Sequence, residues 1–291
     1  MMSNREYRVN IAQQTLSILD QGYYHNGTDQ IVSLAADLAF ARNHSIHYNS
    51  ASLEEMRCRV ATPATPTTPS PAKMTRIEVN NESTLAAAHR LVANGWANPL
   101  CLNFASAKNP GGGFLGGAEA QEENLAKSSG LYPCIVQMSA MYADNRAGKT
   151  CLYNDDMIYS PKVPVFRDDA YHLLDAHYLA SMVTAPAVNR GAVARNTPSL
   201  LDQVPAVMQT RIDKLLALAL HHGHTCIILG AWGCGVFGNR PQEMASWFAQ
   251  YLLEDPRYRQ AFELISFAVL DTKNNGTFQA FHDLFSGKES T

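Results

Sequence analysis

LCLNFASAKNPGGGFLGGAEAQEENLAKSSG, residues 100–130, is the stretch on which the fold turns. Leu100–Ala105 is a short apolar run of the length a buried strand needs. Asn109 to Gly117 follows as a glycine-rich loop, and Glu119–Ser129 as a helix closed by Gly130. Strand, loop and helix in that order build α/β sheets. In such sheets ligands sit at the loops off the carboxyl ends of strands.

The alternation continues on both sides. Arg76–Asn80 is predicted as a strand, and Glu82–Asn94 as a helix with Leu85, Ala88 and Val92 inward and Gly95 at its end. Downstream, Leu179–Ala185 is a strand, and Thr210–His222 a helix with Ile212, Leu215, Leu216 and Leu220 on one side. Cys226–Gly230, CIILG, is wholly apolar, as expected where both sheet faces are covered. Pro241 suits the first position of a helix. Met244, Trp247, Phe248, Tyr251 and Leu252 then form an i, i+3, i+4, i+7, i+8 stripe. Leu264–Leu270 is a strand and Thr277–Phe285 a closing helix. The expected class is α/β, with a largely parallel sheet between helices. No repeat of fixed period is present.

Upstream the pattern is helical. One helix is predicted over Tyr7–Asp20 with Gly22 beyond it, and a second from the stripe Ile31, Leu34, Ala35, Leu38 and Ala39. TPATPTTPSPA, residues 62–72, carries four of the 14 prolines and can be neither helix nor central strand. The expected organisation is an N-terminal helical extension (1–61), a Pro/Thr-rich loop (62–72) and a main body (73–291).

Composition narrows the function classes. Of 291 residues, 46% are apolar, which excludes global disorder. Charged residues make up 17%, against about 25% in an average globular protein, and the net charge is −3. With no basic excess, DNA or RNA groove binding and a grip on acidic membranes are not expected. The six cysteines are scattered, with no CxxC pair, which points to reduced thiols. The polar N-terminus lacks a secretory stretch, and no window approaches the roughly 18 apolar residues of a membrane span. A cytoplasmic location is the expectation.

Two loops carry the candidate chemistry. Five glycines fall within Gly111–Gly117 and four more within Gly230–Gly238, after CIILG. Glycine lets the backbone approach a ligand and turn successive N–H groups toward an anion. A helix N-terminus follows each loop, near Glu119 and Pro241, and adds partial positive charge. Such a pair of loops suits a diphosphate held without lysine. No GK[ST] follows either loop, and neither opens a helix as GxGxxG does, so triphosphate hydrolysis and dinucleotide redox chemistry are disfavoured.

Gln121-Glu122-Glu123 falls in the first turn of the helix after the triple glycine. Acidic residues are common there for dipole reasons alone. Their directions differ by about 100°, so one carboxylate can face a ligand while the other braces it. A covered glutamate has a raised pKa and can serve as acid, then base, in breaking a glycosidic bond.

Gly111-Gly112-Gly113, seven residues, then Gln121-Glu122-Glu123 resembles the signature of the poly(ADP-ribose) glycohydrolases. The text from Asn103 to Tyr132, with YSPKVPVFRDD (159–169) and LGAWGCGVFGNRP (229–241), resembles their microbial-type branch. The resemblance implies a macrodomain-like three-layer α/β/α core with a mixed sheet. It also implies hydrolysis of ribose–ribose O-glycosidic bonds with release of ADP-ribose. Glu123 would be the general acid/base, protonating the ribose 2′-oxygen and then activating water. Glu122 and Asn103 would position the distal ribose, with Gln121 at the substrate. The backbone of Gly111, Gly112 and Gly113, and that of Gly233, Cys234, Gly235, Val236 and Phe237, would cradle the diphosphate, with Phe237 packed on the ligand. No metal or cofactor is implied. The partner would be poly(ADP-ribose) or an ADP-ribosylated protein. Two alternatives stay open: a hydrolase of single ADP-ribose units on proteins, and an ADP-ribose-binding module without turnover. The Pro/Thr segment departs from the family pattern.

Other signals are weaker. His221-His222-Gly223-His224 lacks the spacing of a zinc site. Asp155-Asp156 and Asp168-Asp169 are expected as solvated loop ends. Cys234 has no evident base to make it a nucleophile. Trp232 suits equally a base-stacking role or the core.

Overall fold

Short apolar runs separated by turn residues become strands here, and the striped segments become helices. A computed structural model describes residues 3–60 and 75–286; the Pro/Thr segment 62–72 lies outside the described residues. The strands are β1 (Tyr23–His25), β2 (Ile31–Ser33), β3 (Ile46–Tyr48), β4 (Arg76–Asn80), β5 (Leu100–Phe104), β6 (Met157–Arg167), β7 (Leu173–Ala185), β8 (Cys226–Leu229) and β9 (Leu264–Ala268). Two compact units form, each drawn from three stretches of chain. One is Met1–Tyr48, Leu85–Ala147 and Asp156–Pro186; the other is Asn49–Thr84, Gly148–Asp155 and Ala187–Thr291.

In the first unit the strand order is β3-β6-β7-β5. β6 is antiparallel to both neighbours, and β5 runs parallel to β7 with Asn103 opposite Thr184. The first helix, Asn4–Gln21, starts at a capping box in which Ser3 and Glu6 bond each other's backbone N–H. It ends at Gly22, whose φ of 77° is the left-handed conformation that glycine adopts without strain. Ala12 of this helix packs with Phe114 and Ala126. Burying a phenylalanine such as Phe114 stabilises by roughly 1.5–3 kcal/mol. The glycine loop and the helix after it are thereby fixed to the first helix.

In the second unit β8 and β4 both run parallel to β9. All residues of β8 and β9 are buried. The helix Pro241–Ala249 begins at its proline and buries Met244 and Phe248, and Thr277–Phe285 stacks Phe285 on Phe267 with ring centres 4.5 Å apart. Trp232 is wholly buried, which places it in the core. The α/β class expected from the sequence, with mixed and mostly parallel strands, is the one observed.

Three expectations need correction. Ile31 lies in β2 and is exposed, not on a helix. The Asn26 side chain accepts from the amides of Thr28 and Gln30, which closes a hairpin turn, so the helix begins only at Ala35. Its inward residues are Leu34, Leu38 and Ala41. The second correction is β6, which sequence reasoning leaves out because Pro161 and Pro164 argue against a strand. β3 pairs only with Met157–Tyr159, and the register with β7 shifts between Ser160 and Val163. The prolines therefore fall where no β3 hydrogen bond is needed. Third, Asp155 and Asp156 are not solvated. Asp155 pairs with the buried Arg211 (2.9 Å) and with Lys214 (2.8 Å), and Asp156 lies 2.9 Å from His47 Nε2.

Candidate active site

The helix after the triple glycine runs Gln121–Ser128, so Glu119 lies just before it. Gln121 fixes its start. The side-chain oxygen accepts from Phe104 N at 2.8 Å, and the side-chain nitrogen donates to Leu102 O at 2.7 Å. The amide thus pairs with β5 as a neighbouring strand residue would. Both ends of Gln121, expected at the substrate, are engaged by the strand.

With that rotation set, the two glutamates diverge. Glu122 turns inward and is only 3% exposed. Its Oε2 accepts from Ser106 N at 2.7 Å and its Oε1 faces Asn103 Nδ2 at 3.4 Å. Burial pushes its pKa up to about 8. The Ser106 amide opposes that rise, the charge of Glu123 adds to it, and the Asn103 and Gly111 donors oppose it. Tyr142, whose hydroxyl is buried, has its pKa raised first by burial and then by the Glu122 charge.

Glu123 is half-buried and faces the glycine loop, where Oε1 accepts from Gly113 N at 2.9 Å. Gly112 has a φ of +59°, and a Cβ there would stand 2.3 Å from Glu123 Oε1 and 3.2 Å from Glu122 Oε2. Only glycine lets the loop and the two carboxylates come so close. Gly112 N bonds Asn109 O, while the Gly111 amide is turned on Glu122. The amides expected to hold a diphosphate at Gly111, Gly112 and Gly113 are therefore directed at protein acceptors, two of them the catalytic candidates. Asn103, expected at the ribose, is wholly buried. Its Nδ2 reaches Glu122 and, at 3.1 Å, Thr184 Oγ1, so its amide is engaged by protein groups.

Sequence reasoning missed Ser106 and Thr184, which hold Glu122 and Asn103. Thr184 could be found from strand pairing, since it is the β7 residue in register with Asn103. Ser106 carries no side-chain signal, because its backbone amide does the holding.

The second loop is built differently. Gly233 has a φ of +71°, and a Cβ there would lie 2.5 Å from Asn239 Nδ2 and 2.6 Å from Ala187 Cβ. Asn239 braces the loop by donating to Val188 O at 2.9 Å and, through its amide, to Gly233 O at 3.1 Å. Gly191 N donates to Phe237 O at 3.0 Å. Among the described residues, none accepts from the amides of Gly235, Val236 or Phe237. Val236 is 85% exposed, and Phe237 is half-buried beside Tyr153. Burial pushes the Cys234 thiol up to about 12, which keeps it protonated and a poor nucleophile.

His222 and His224 are drawn down to about 4 by burial. Among the described residues no three His, Cys, Asp or Glu side chains gather as a metal site. Nor is any helix there long and apolar enough to cross a membrane. Arg167 is buried and donates to Tyr171 O, and Tyr159 OH meets Ser181 at 3.5 Å, so both serve the fold of their unit.

The microbial-type PARG catalytic domain model matches residues 12–168. No curated protein matches. Among solved structures, the chain is similar to poly(ADP-ribose) glycohydrolase from Thermomonospora curvata. The identity is 42%, with 96% of this chain and 99% of that one covered and a TM-score of 0.89. The T. curvata enzyme bound to the inhibitor ADP-HPD gives 41% identity, 95% and 98% coverage and a TM-score of 0.87. The enzyme from Deinococcus radiodurans in complex with ADP-ribose gives 41%, 86% and 97%, and 0.77. With a family match over more than half its length and close relatives covered almost end to end, this chain belongs to the microbial-type poly(ADP-ribose) glycohydrolase (PARG) family.

Proposed function

We infer that this chain hydrolyses the ribose–ribose O-glycosidic bonds of poly(ADP-ribose), releasing ADP-ribose, with Glu123 as general acid and base. The observation that carries the reading is the division between the two carboxylates. Glu122 is buried and held by Ser106 N, whereas Glu123 keeps partial exposure and is aimed by Gly113 N. Glu123 protonates the departing ribose 2′-oxygen as the bond to C1″ opens. It then takes a proton from the water that attacks the oxocarbenium-like carbon. A positioned proton donor of this kind contributes about 10²–10⁴-fold. Glu122, kept neutral by burial up to about pH 8, offers the distal ribose both a donor and an acceptor, and Asn103 steadies it from behind. The amides of Gly235, Val236 and Phe237, which no described residue accepts from, suit a diphosphate, and Gly233 and Cys234 shape their turn. The macromolecular partner is the polymer or a protein carrying it, and free thiols at all six cysteines fit a reducing cytoplasm.

Radiolabelled polymer, and separately a mono-ADP-ribosylated protein, tests this. The wild type is expected to release ADP-ribose from polymer. Glu123→Gln is expected to lose about 10²–10⁴-fold in kcat while still binding ADP-ribose in calorimetry. Near-normal turnover by Glu123→Gln overturns the assignment. Binding without product from any substrate makes the protein a reader.

A further inference from the structure

We propose that the first helix, Asn4–Gln21, belongs to the catalytic apparatus: Arg5 and Arg8, with Lys127, clamp three consecutive carbonyls and so set the place of Glu123. The proposal rests on Glu123 being the acid/base. Arg5 Nε donates to Gly116 O at 2.9 Å, Arg8 Nε to Gly117 O at 2.8 Å, and Lys127 Nζ to Ala118 O at 3.3 Å. Arg8 also pairs with Glu119 at 2.8 Å, so four successive residues before the catalytic helix are each held by a cation. Hydrogen bonds to charged donors are stronger than neutral ones. The helix also lies against the loop backbone. A Cβ on Gly117, whose φ is +74°, would stand 2.6 Å from Arg5 O and 3.0 Å from Val9 Cγ2.

A hydrogen-bonded path leads from the clamp to the carboxylate. Ala118 N donates to Gly113 O at 3.2 Å, and Gly113 N donates to Glu123 Oε1 at 2.9 Å. Lys127 sits one turn beyond Glu123 on the same helix and ties that helix back to the loop. Its own carbonyl accepts from the buried Thr15 hydroxyl of the first helix at 2.6 Å. Its ammonium lies 4.6 Å over the Tyr171 ring, whose hydroxyl donates to Asn124 Oδ1 at 2.8 Å, the residue next to Glu123. An ammonium this deeply buried is uncommon unless paired. Here its partners are a loop carbonyl and an aromatic face, both belonging to the bracket around Glu123. Arg5, Arg8 and Lys127 are positioning residues, since each acts through the loop.

The test compares Arg5→Gln, Arg8→Gln, Lys127→Met and the conservative Arg8→Lys in the full chain. It measures kcat and KM on poly(ADP-ribose), the ADP-ribose Kd and the thermal midpoint. Misplacement of a catalytic group is expected to lower kcat about 10- to 100-fold in Arg8→Gln and Lys127→Met, with KM and Kd within about threefold of wild type. Arg8→Lys is expected to recover most of the loss. Both folded variants keeping kcat within about twofold of wild type, or a rise in KM alone, overturns the clamp. If Lys127→Met does not fold, Arg8→Gln, at a half-buried position, and Arg5→Gln, at an exposed one, decide on the same criteria. Failure of the underlying assignment looks different: Glu123→Gln itself then turns over normally.

Discussion

In the loop at Gly111–Gly117 the backbone amides are turned on the protein's own groups, whereas in the loop at Gly230–Gly238 three consecutive amides meet no acceptor among the described residues. The first loop is crowded. Hypothetical Cβ atoms at Gly112 and Gly117 run into Glu123 and Arg5. The second is crowded at Gly233, whereas among the described residues nothing lies within 4 Å of a Cβ on Gly235. Glycine enrichment after a strand therefore marks where backbone must come close to something, without saying to what. In the first loop that something is a pair of carboxylates and the backbone of Arg5; in the second, at Gly233, it is Asn239 and Ala187.

The contrast can be broken by substitution. Glu123→Gln, described above, carries the largest expected loss. Gly112→Ala comes next. It sets a methyl group 2.3 Å from Glu123 Oε1, and its φ of +59° costs a side chain roughly 1–2 kcal/mol. We expect kcat to fall about 100-fold in single-turnover assays; wild-type rates in that variant would mean the close approach is incidental. Third is a pH effect confined to the first loop. Between about pH 4.5 and about pH 8 the native state keeps a proton on Glu122 that the unfolded chain has lost. Stability therefore falls as pH rises through that window and levels off above it. Urea melts across pH should show this slope in the wild type and a flatter one in Glu122→Gln; equal slopes would mean Glu122 ionises as it does in the unfolded chain.

The second loop offers the smallest effects, and they form a pair. Gly233→Ala collides with Asn239 and Ala187 and should raise KM roughly fivefold with little change in kcat, as expected of uniform binding. Gly235→Ala meets open space and should stay within about twofold of wild type in KM, with stability changed by less than about 0.5 kcal/mol. If the two variants behaved alike, the crowding that distinguishes their positions would have no bearing on the ligand.

The same contrast shows what a sequence exposes. β8 is legible because it is an uninterrupted apolar run of strand length, and β5 and β9 because each is such a run broken by a single polar residue, Asn103 or Ser266; nearly all of their residues are indeed buried. β6 is not, because two prolines argue locally against a strand and only the shortness of β3 makes them harmless. The motif at Gly111–Glu123 is legible as a site. The roles inside it are not, since which glutamate is buried depends on the rotation of a helix that Gln121 fixes through β5. Arg5 and Arg8 escape notice entirely. On an exposed helical face an arginine reads as solvated, and nothing local announces a carbonyl partner more than a hundred residues away.

Gln121 does more than start its helix. By offering one donor and one acceptor at the spacing of a backbone, its amide lets a helix end plug into a β-ladder as though it were another strand. A glutamate in its place would turn an oxygen toward Leu102 O and unplug it. The carboxylate of Glu123, two positions later, is thus referenced to the sheet of its unit through Gln121 as well as to the clamped loop through Gly113 N, so two separate anchors bear on one side chain.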